Sequence, residues 1–150
     1  MKEENLDLID HHYAGVLVVT EDGRLIGQQR DDKPGIDNPG RVSTFGGTVE
    51  QGENPRYAAW RELVKEETNL MLDEDSLVLF LEDKAWRKLT KEWEARHFYY
   101  VKISTEQLDN LEVYEGQGWA EINGADDPKL VDLWRTVVGK FIELDVNTDV

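Results

Sequence analysis

The stretch from Gly46 to Leu70, GGTVEQGENPRYAAWRELVKEETNL, restricts the fold more than any other part of the chain. Two adjacent glycines end the segment Val42 to Phe45, which reads as a short strand. Glycines at a strand end allow tight backbone approach and leave a carbonyl free to face a ligand. From Asn54-Pro55 the pattern turns helical. Asn54 supplies a cap, Pro55 suits the first helical position, and Ala59, Trp60, Leu63 and Val64 recur at helical spacing. Asn69 is expected to stop the helix in a left-handed conformation before Leu70. This strand-loop-helix unit carries Glu50 and Glu53 in its loop and Glu62, Glu66 and Glu67 on its helix. Glu62 and Glu66 are about 40° apart on a helical wheel, so their carboxylates share a face. Like charges at that spacing destabilise a bare helix. Carboxylates without cysteine and with few histidines are the donor set of a hard cation, Mg²⁺ or Mn²⁺. Such a cation, bridging two phosphates, neutralises a pyrophosphate and activates water to attack it. A solvated acidic helix face has the same glutamate pair, and at this point it stays open as the plain reading.

The rest of the chain supplies strands and one more helix. Tyr13 to Thr20 is a β-branched apolar run that reads as a buried strand. Asp22-Gly23 turns the chain, and Leu25 to Arg30 pairs back as a hairpin. Residues 31–41, with two Pro-Gly pairs, form a long loop of the kind that borders binding sites or makes a plain surface excursion. Leu77 to Leu81 and Ala95 to Ile103 read as strands, the second apolar on both faces and therefore central. Glu112 to Tyr114 is a further short strand. Asp126-Asp127-Pro128 is expected to open a last helix, with Leu130, Leu133, Trp134, Val137, Val138 and Phe141 as its apolar stripe. The tail after Leu144 is expected to fray. Strands interleaved with two helices point to an α/β fold, helices packed on a mixed sheet. No repeat or linker divides the 150 residues, so one domain over 1–150 is expected.

Charge and composition narrow the partners. With 32 Asp+Glu against 17 Lys+Arg the formal charge is -15, which opposes duplex nucleic acid and anionic membranes. Five Trp, five Tyr, four Phe and 39% hydrophobic residues argue against disorder. The absence of cysteine excludes disulfides and thiolate metal sites. The longest apolar run, Val16 to Val19, is far shorter than a membrane span, and Met1 to Asn5 is too acidic for a signal peptide. A cytoplasmic setting is expected.

Within the Gly46–Leu70 stretch, Gly47, Glu53, Arg61, Glu62 and Leu63 fall at the spacing of the Nudix hydrolase motif, which the chain resembles. The likeness extends outward, from the Tyr13 strand through Gln29-Arg30 to Glu115-Gly116-Gln117-Gly118-Trp119. It implies a Nudix-type α/β/α sandwich, a mixed sheet flanked by the motif helix and a C-terminal helix. It also implies Mg²⁺-dependent (or Mn²⁺-dependent) hydrolysis of a nucleoside diphosphate linked to another moiety, with nucleoside triphosphates, nucleotide sugars and ADP-ribose as candidate substrates. A nucleotide or nucleotide-sugar sensor on the same fold is the alternative, and a homodimer is compatible with either.

One departure stands out. After Leu63 the family has one residue and then Glu-Glu, whereas this chain reads Val64-Lys65-Glu66-Glu67. Without a gap, Lys65 replaces a metal-site glutamate. With one extra residue, Glu66 and Glu67 regain their places and Asn69 stands for the motif glycine. The second reading carries a structural demand. In a straight helix Glu67 lies roughly 140° from Glu62, so keeping both on the metal face requires a π-bulge near Val64-Lys65.

The resemblance implies metal ligation by Glu62, Glu66, Glu67 and the Gly46 carbonyl, and bracing of the loop by Arg61 through Glu53. Glu66, Glu67 or Glu115 would activate the water. Arg30 would contact phosphate, against the alternative of a simple surface cation. Glu115 as a turn acid and Arg61 as a surface arginine are the corresponding plain readings. Phe45 and Tyr99 are the aromatic candidates for stacking on a base. His97 alternates with apolar residues and is expected to be a satisfied buried histidine.

Overall fold

The computed structural model describes residues 6–144; the tail after Leu144 and the first five residues lie outside that range. The chain order is β1 (His11–Thr20), β2 (Leu25–Gln29), β3 (Val42–Ser43), β4 (Phe45–Thr48), α1 (Pro55–Trp60), a π-helical turn (Arg61–Glu67), β5 (Val78–Arg87), β6 (Glu92–Ile103), α2 (Thr105–Asp109), β7 (Trp119–Ile122) and α3 (Asp132–Glu143). Short 3₁₀ turns occupy Leu6–Leu8 and Glu74–Ser76.

β1 organises the sheet. Along its whole length it runs parallel to β6, from His11↔Glu94 to Thr20↔Ile103. Its other edge is shared: the first half pairs with β4, Tyr13↔Thr48 to Val16↔Phe45, and the second half with β2, Val18↔Ile26. β3 and β7 extend β2, and β5 closes the opposite side. Because one strand edge feeds two partners, the mixed sheet curls.

Alternation along β1 explains the layers. Ala14, Val16 and Val18 face a core made with Ala58, Ala59 and Leu63 of the motif helix, joined by Phe45, Tyr99 and Val101. Leu17 and Val19 face the other way, onto Trp134, Val137, Val138 and Phe141 of α3. Both faces of β1 are therefore apolar, as a strand sandwiched between helices requires. The result is the expected α/β/α sandwich.

Several expected elements are corrected. The single strand Val42–Phe45 is two, interrupted at Thr44, whose hydroxyl donates to the Val16 carbonyl at 2.7 Å while β3 and β4 go to different partners. The strands expected at Leu77–Leu81 and Ala95–Ile103 are the inner parts of a long hairpin that continues to Arg87 and Glu92, beyond the apolar run. Glu112–Tyr114 forms only an isolated bridge, Thr68↔Val113. The last helix opens at Asp132, not Asp126. Asp127 instead closes a turn, its carboxylate accepting the Asn123 and Lys129 amides, both at 2.9 Å. α2 was not foreseen, although Ser104 and Gln107 form a full capping box around its first turn.

His97 is buried and satisfied, as expected, and its partners are more specific than apolar alternation suggests. Its Nδ1 meets Glu82 Oε2 at 2.6 Å, and its Nε2 meets His12 Nδ1 at 2.7 Å. His12 in turn donates from Nε2 to the Ile9 carbonyl at 2.6 Å. The relay ties β5, β6 and β1 to the segment before β1. His97→Leu leaves a carboxylate and an imidazole without their shared partner and is expected to destabilise the fold by about 2–3 kcal/mol, read from the urea midpoint at constant slope.

Candidate active site

The site is assembled where β4 meets the motif helix. Asn54 caps that helix, its side chain accepting the Tyr57 amide at 2.9 Å, and Pro55 takes the first position. The first six residues are α-helical, after which Arg61–Glu67 widens into a π-helix. The Thr68 amide donates to the Leu63 carbonyl, five residues back, at 3.0 Å. The bulge demanded by the extra residue is therefore present, and the i→i+4 ladder does not run unbroken to Thr68.

Widening the turn brings two of the three helix glutamates against the β4 glycines. Glu67 Oε1 accepts the Gly46 amide at 3.1 Å. A methyl group on Gly47 would lie 2.3 Å from Glu62 Oε2, so the glycine is what lets that carboxylate reach the strand. Gly46 is pressed from the other side, where a methyl group would fall 2.5 Å from the Ala14 carbonyl oxygen and 2.6 Å from the Tyr13 hydroxyl.

Arg61 organises the acids around it. Its Nε and Nη2 grip Glu53 at 2.6 and 2.9 Å, a fork-on-carboxylate pair. Nη1 reaches Glu62 at 3.1 Å and also Glu66, and Nη2 donates to the Thr48 carbonyl at 3.2 Å. Glu53 closes the loop by accepting the Glu50 amide at 2.8 Å. The expected brace from Arg61 to Glu53 is thus formed.

The electrostatics follow from burial and from Arg61's choice of partners. Hydrogen bonds from Arg61 hold Glu53 below the usual carboxylate range, and the same bonds push the guanidinium further up. Glu62 is raised, first by burial and then by Glu66. Glu67, which Arg61 does not touch, is pushed up to about 8 by burial, then by Glu62, with Glu115 and Glu66 adding to it. Two half-buried carboxylates that repel each other beside a pair of glycines are a site short of positive charge. All the donors are oxygens, the chemistry that Mg²⁺ and Mn²⁺ select. Among the described residues no three His, Asp or Glu side chains are already gathered as a cation cage. Glu66 is turned onto Arg61 and half exposed.

The remaining candidates sort clearly. Lys65 stands 5.4 Å over the Trp60 ring. Asn69 is not left-handed; Thr68 already exits in an extended conformation (φ -142°) and its buried hydroxyl donates to the Leu63 carbonyl. Asn69 instead crosses to the next segment, donating to the Asn110 carbonyl and accepting the Glu112 amide, both at 2.8 Å. Phe45, expected as a stacking residue, has no face open to a base: it is fully buried in the core beneath the motif helix. Tyr99 is 6% exposed, its phenol raised to about 12 by burial and by Glu82.

Arg30 and Glu115 line one cavity of about 470 Å³ with Gln28, Lys33, Ile36 and Tyr114. Arg30 is pinned there through Nε to the Asp37 carbonyl at 2.8 Å, and the Gln28 amide donates to the Glu115 carbonyl at 3.0 Å. Gln28 and Tyr114 carried no signal in the sequence, since a polar strand end and a loop tyrosine are ordinary surface features. The Thr48 carbonyl was equally invisible, being main chain.

A family model described as NUDIX domain matches residues 10–137. No curated protein matches the chain. Among solved structures, a MutT NUDIX hydrolase from Burkholderia pseudomallei superposes with a TM-score of 0.64 at 19% identity, covering 87% of this chain and 96% of that one. The Ap4A hydrolase of C. elegans gives 0.64 at 19%, covering 90% and 97%. A bifunctional NMN adenylyltransferase/ADP ribose pyrophosphatase from Francisella tularensis gives 0.58 at 21%, covering 91% of this chain but only 41% of its own length. At these identities the structures speak for the fold, while the family model takes in the strand-loop-helix unit itself: the chain belongs to the NUDIX domain family, hydrolases acting on phosphorus anhydrides.

Proposed function

We propose that the chain hydrolyses a pyrophosphate bond in a nucleoside diphosphate linked to another moiety, with Mg²⁺ or Mn²⁺ held by Glu62, Glu66, Glu67 and the Gly46 carbonyl. The observation that carries this reading is the π-helical turn, which sets Glu62 and Glu67 together against Gly46 and Gly47. When bound, the cation neutralises the diphosphate and polarises the bond to be broken. The protein's part is positional and electrostatic. Arg61 holds the loop through Glu53 and fixes Glu62. Glu67, held against the Gly46 amide, is one of three carboxylates, with Glu66 and Glu115, that would take the proton of an attacking water. Arg30 offers a guanidinium in the cavity that Glu115 borders, where Lys33 is paired with Asp31 at 3.9 Å, a place for the far phosphate or the second moiety. The products are a nucleoside monophosphate and a second phosphorylated fragment. Ap4A and ADP-ribose, on which the structural neighbours' names report, join nucleoside triphosphates and nucleotide sugars as the classes to assay.

The test is product release from a panel of these compounds with and without Mg²⁺. At least one member is expected to turn over only with the metal, and Glu66→Gln is expected to lower that rate by about a hundredfold or more while leaving the circular dichroism spectrum unchanged. Full turnover by Glu66→Gln would remove Glu66 from the site.

A further inference from the structure

β5 ends the strand order β3-β2-β1-β6-β5 and, among the described residues, pairs only with β6. Ten residues long, it presents a row of main-chain donors and acceptors along its outer edge, and it exposes apolar side chains: Leu79 at 46% and Trp86 at 50%. A long apolar edge favours strand addition, and proteins that avoid it shorten, bulge or charge the edge. β5 has a bulge between Leu79 and Leu81 but runs regularly from Glu82 to Arg87. We propose that a second copy of this chain adds at that regular stretch, β5 against β5, antiparallel about a twofold axis through Ala85, giving a homodimer with one continuous sheet.

Side-chain identities fix the register. Residues directly opposite in an antiparallel pair share a face, so a twofold axis normal to the sheet passes through a residue rather than between two. Six positions are available. On Glu82, Asp83, Lys84 or Arg87 the axis sets two like charges face to face, and on Trp86 it sets Lys84 opposite Lys88. On Ala85 no like charges meet. There Asp83 faces Arg87 and Lys84 faces Trp86, each pair occurring twice, with Glu82 opposite Lys88 just beyond. The side chain on the axis is then the smallest of the six. Asp83 is already fixed for the encounter, held by Arg96 at 2.6 and 2.7 Å.

Charge also selects this edge for self-association. The chain as a whole carries -15, which drives copies apart. Residues 82–88 hold two acids and three cations, a local charge of +1, so two copies meet here without the repulsion that the rest of the surface imposes.

The absence of cysteine makes the axis directly testable. Sedimentation equilibrium of the full chain is expected to give twice 17.3 kDa at micromolar concentration. Ala85→Cys puts one thiol from each copy on the axis, within disulfide reach, whereas Leu89→Cys lies on the hairpin turn past Arg87, whose two copies are already about 14 Å apart, beyond that reach. Under mild oxidation the first is expected to crosslink at least about tenfold faster than the second. Arg87→Asp, which opposes Asp83 with a like charge, is expected to weaken the dimer about tenfold. Should Arg87→Asp fail to fold, Lys88→Glu on the turn reads the neighbouring pair with Glu82. A monomer throughout the micromolar range, equal crosslinking at the two cysteine positions, or wild-type dimerisation by the charge variants would each overturn the proposal.

Discussion

Glu67→Gln is expected to cut metal-dependent pyrophosphate hydrolysis by about a thousandfold and, at the same time, to stabilise the metal-free protein by about 4 kcal/mol at pH 8. Both effects come from one placement. The π-turn moves Glu67 inward until its carboxylate accepts the Gly46 amide, with Glu62 as its nearest acidic neighbour and Arg61 committed elsewhere. Burial and repulsion raise it from 4.5 to about 8. An acid raised on folding destabilises the native state in its charged form. The penalty is absent below pH 4.5, grows as the pH rises, and is complete above about 8. Glutamine keeps the acceptor for Gly46 and carries no charge, so its advantage should follow the same course: nil at pH 4, largest at pH 8 and above. Thermal melts in chelator across that range, beside turnover assays with Mg²⁺, measure the two effects separately. A gain in stability that ignores pH would show that the carboxylate is not under the stress described. Unchanged turnover would show that Glu67 takes no part in the reaction.

The same segment shows what a sequence can disclose. The mismatch of one residue between Leu63 and Glu66 reads either as a replaced glutamate or as an added residue, and the second reading demands the π-turn that Arg61–Glu67 forms. How the turn ends was not legible. Asn69 has the right chemistry for a left-handed stop, but Thr68 terminates the helix by turning its hydroxyl back onto Leu63 and pairing with Val113, a residue 45 positions away. Long-range pairing also hid the tip of the β5–β6 hairpin, where Asp83, Lys84 and Arg87 break the apolar alternation that marks a strand. There the ladder is sustained by cross-strand partners, Asp83 with Arg96 and Trp86 with Trp93. The start of α3 failed for a local reason. Asp-Asp-Pro is an opening signal for a helix and equally for a turn, and only the Asn123 and Lys129 amides decide between them. Within the site, the carboxylates and Arg61 were readable from their side chains, and the glycines from the lack of one. Phe45 was misread because an aromatic residue beside a glycine pair looks the same whether it points to a ligand or to the core.

Arg61→Ala is expected to destabilise the protein by about 3 kcal/mol at pH 7 and to lower turnover by about a hundredfold, although in the proposed site Arg61 holds the acids in place and binds no metal itself. The guanidinium and the Glu53 carboxylate are 13% and 12% exposed, so removing one strands the other in a poorly solvated place. Three acids lose their common partner, and the Thr48 carbonyl loses a donor. The loop from Thr48 to Glu53 is then free to drift from β4, and Glu62 with it. Arg61→Lys keeps the charge but not the fork, and should fall between the two. The acid limb distinguishes this from general loss of packing. Arg61 lowers Glu53 on folding, so its contribution is present above the unfolded value of 4.5 and disappears as the pH falls through the lower folded value. Wild type and Arg61→Ala should therefore differ most near neutrality and converge in acid. Urea denaturation at stepped pH reads that convergence directly. A gap that stays constant into acid would mean that Arg61 acts through its aliphatic packing, and that the carboxylates are held by something other than its charge.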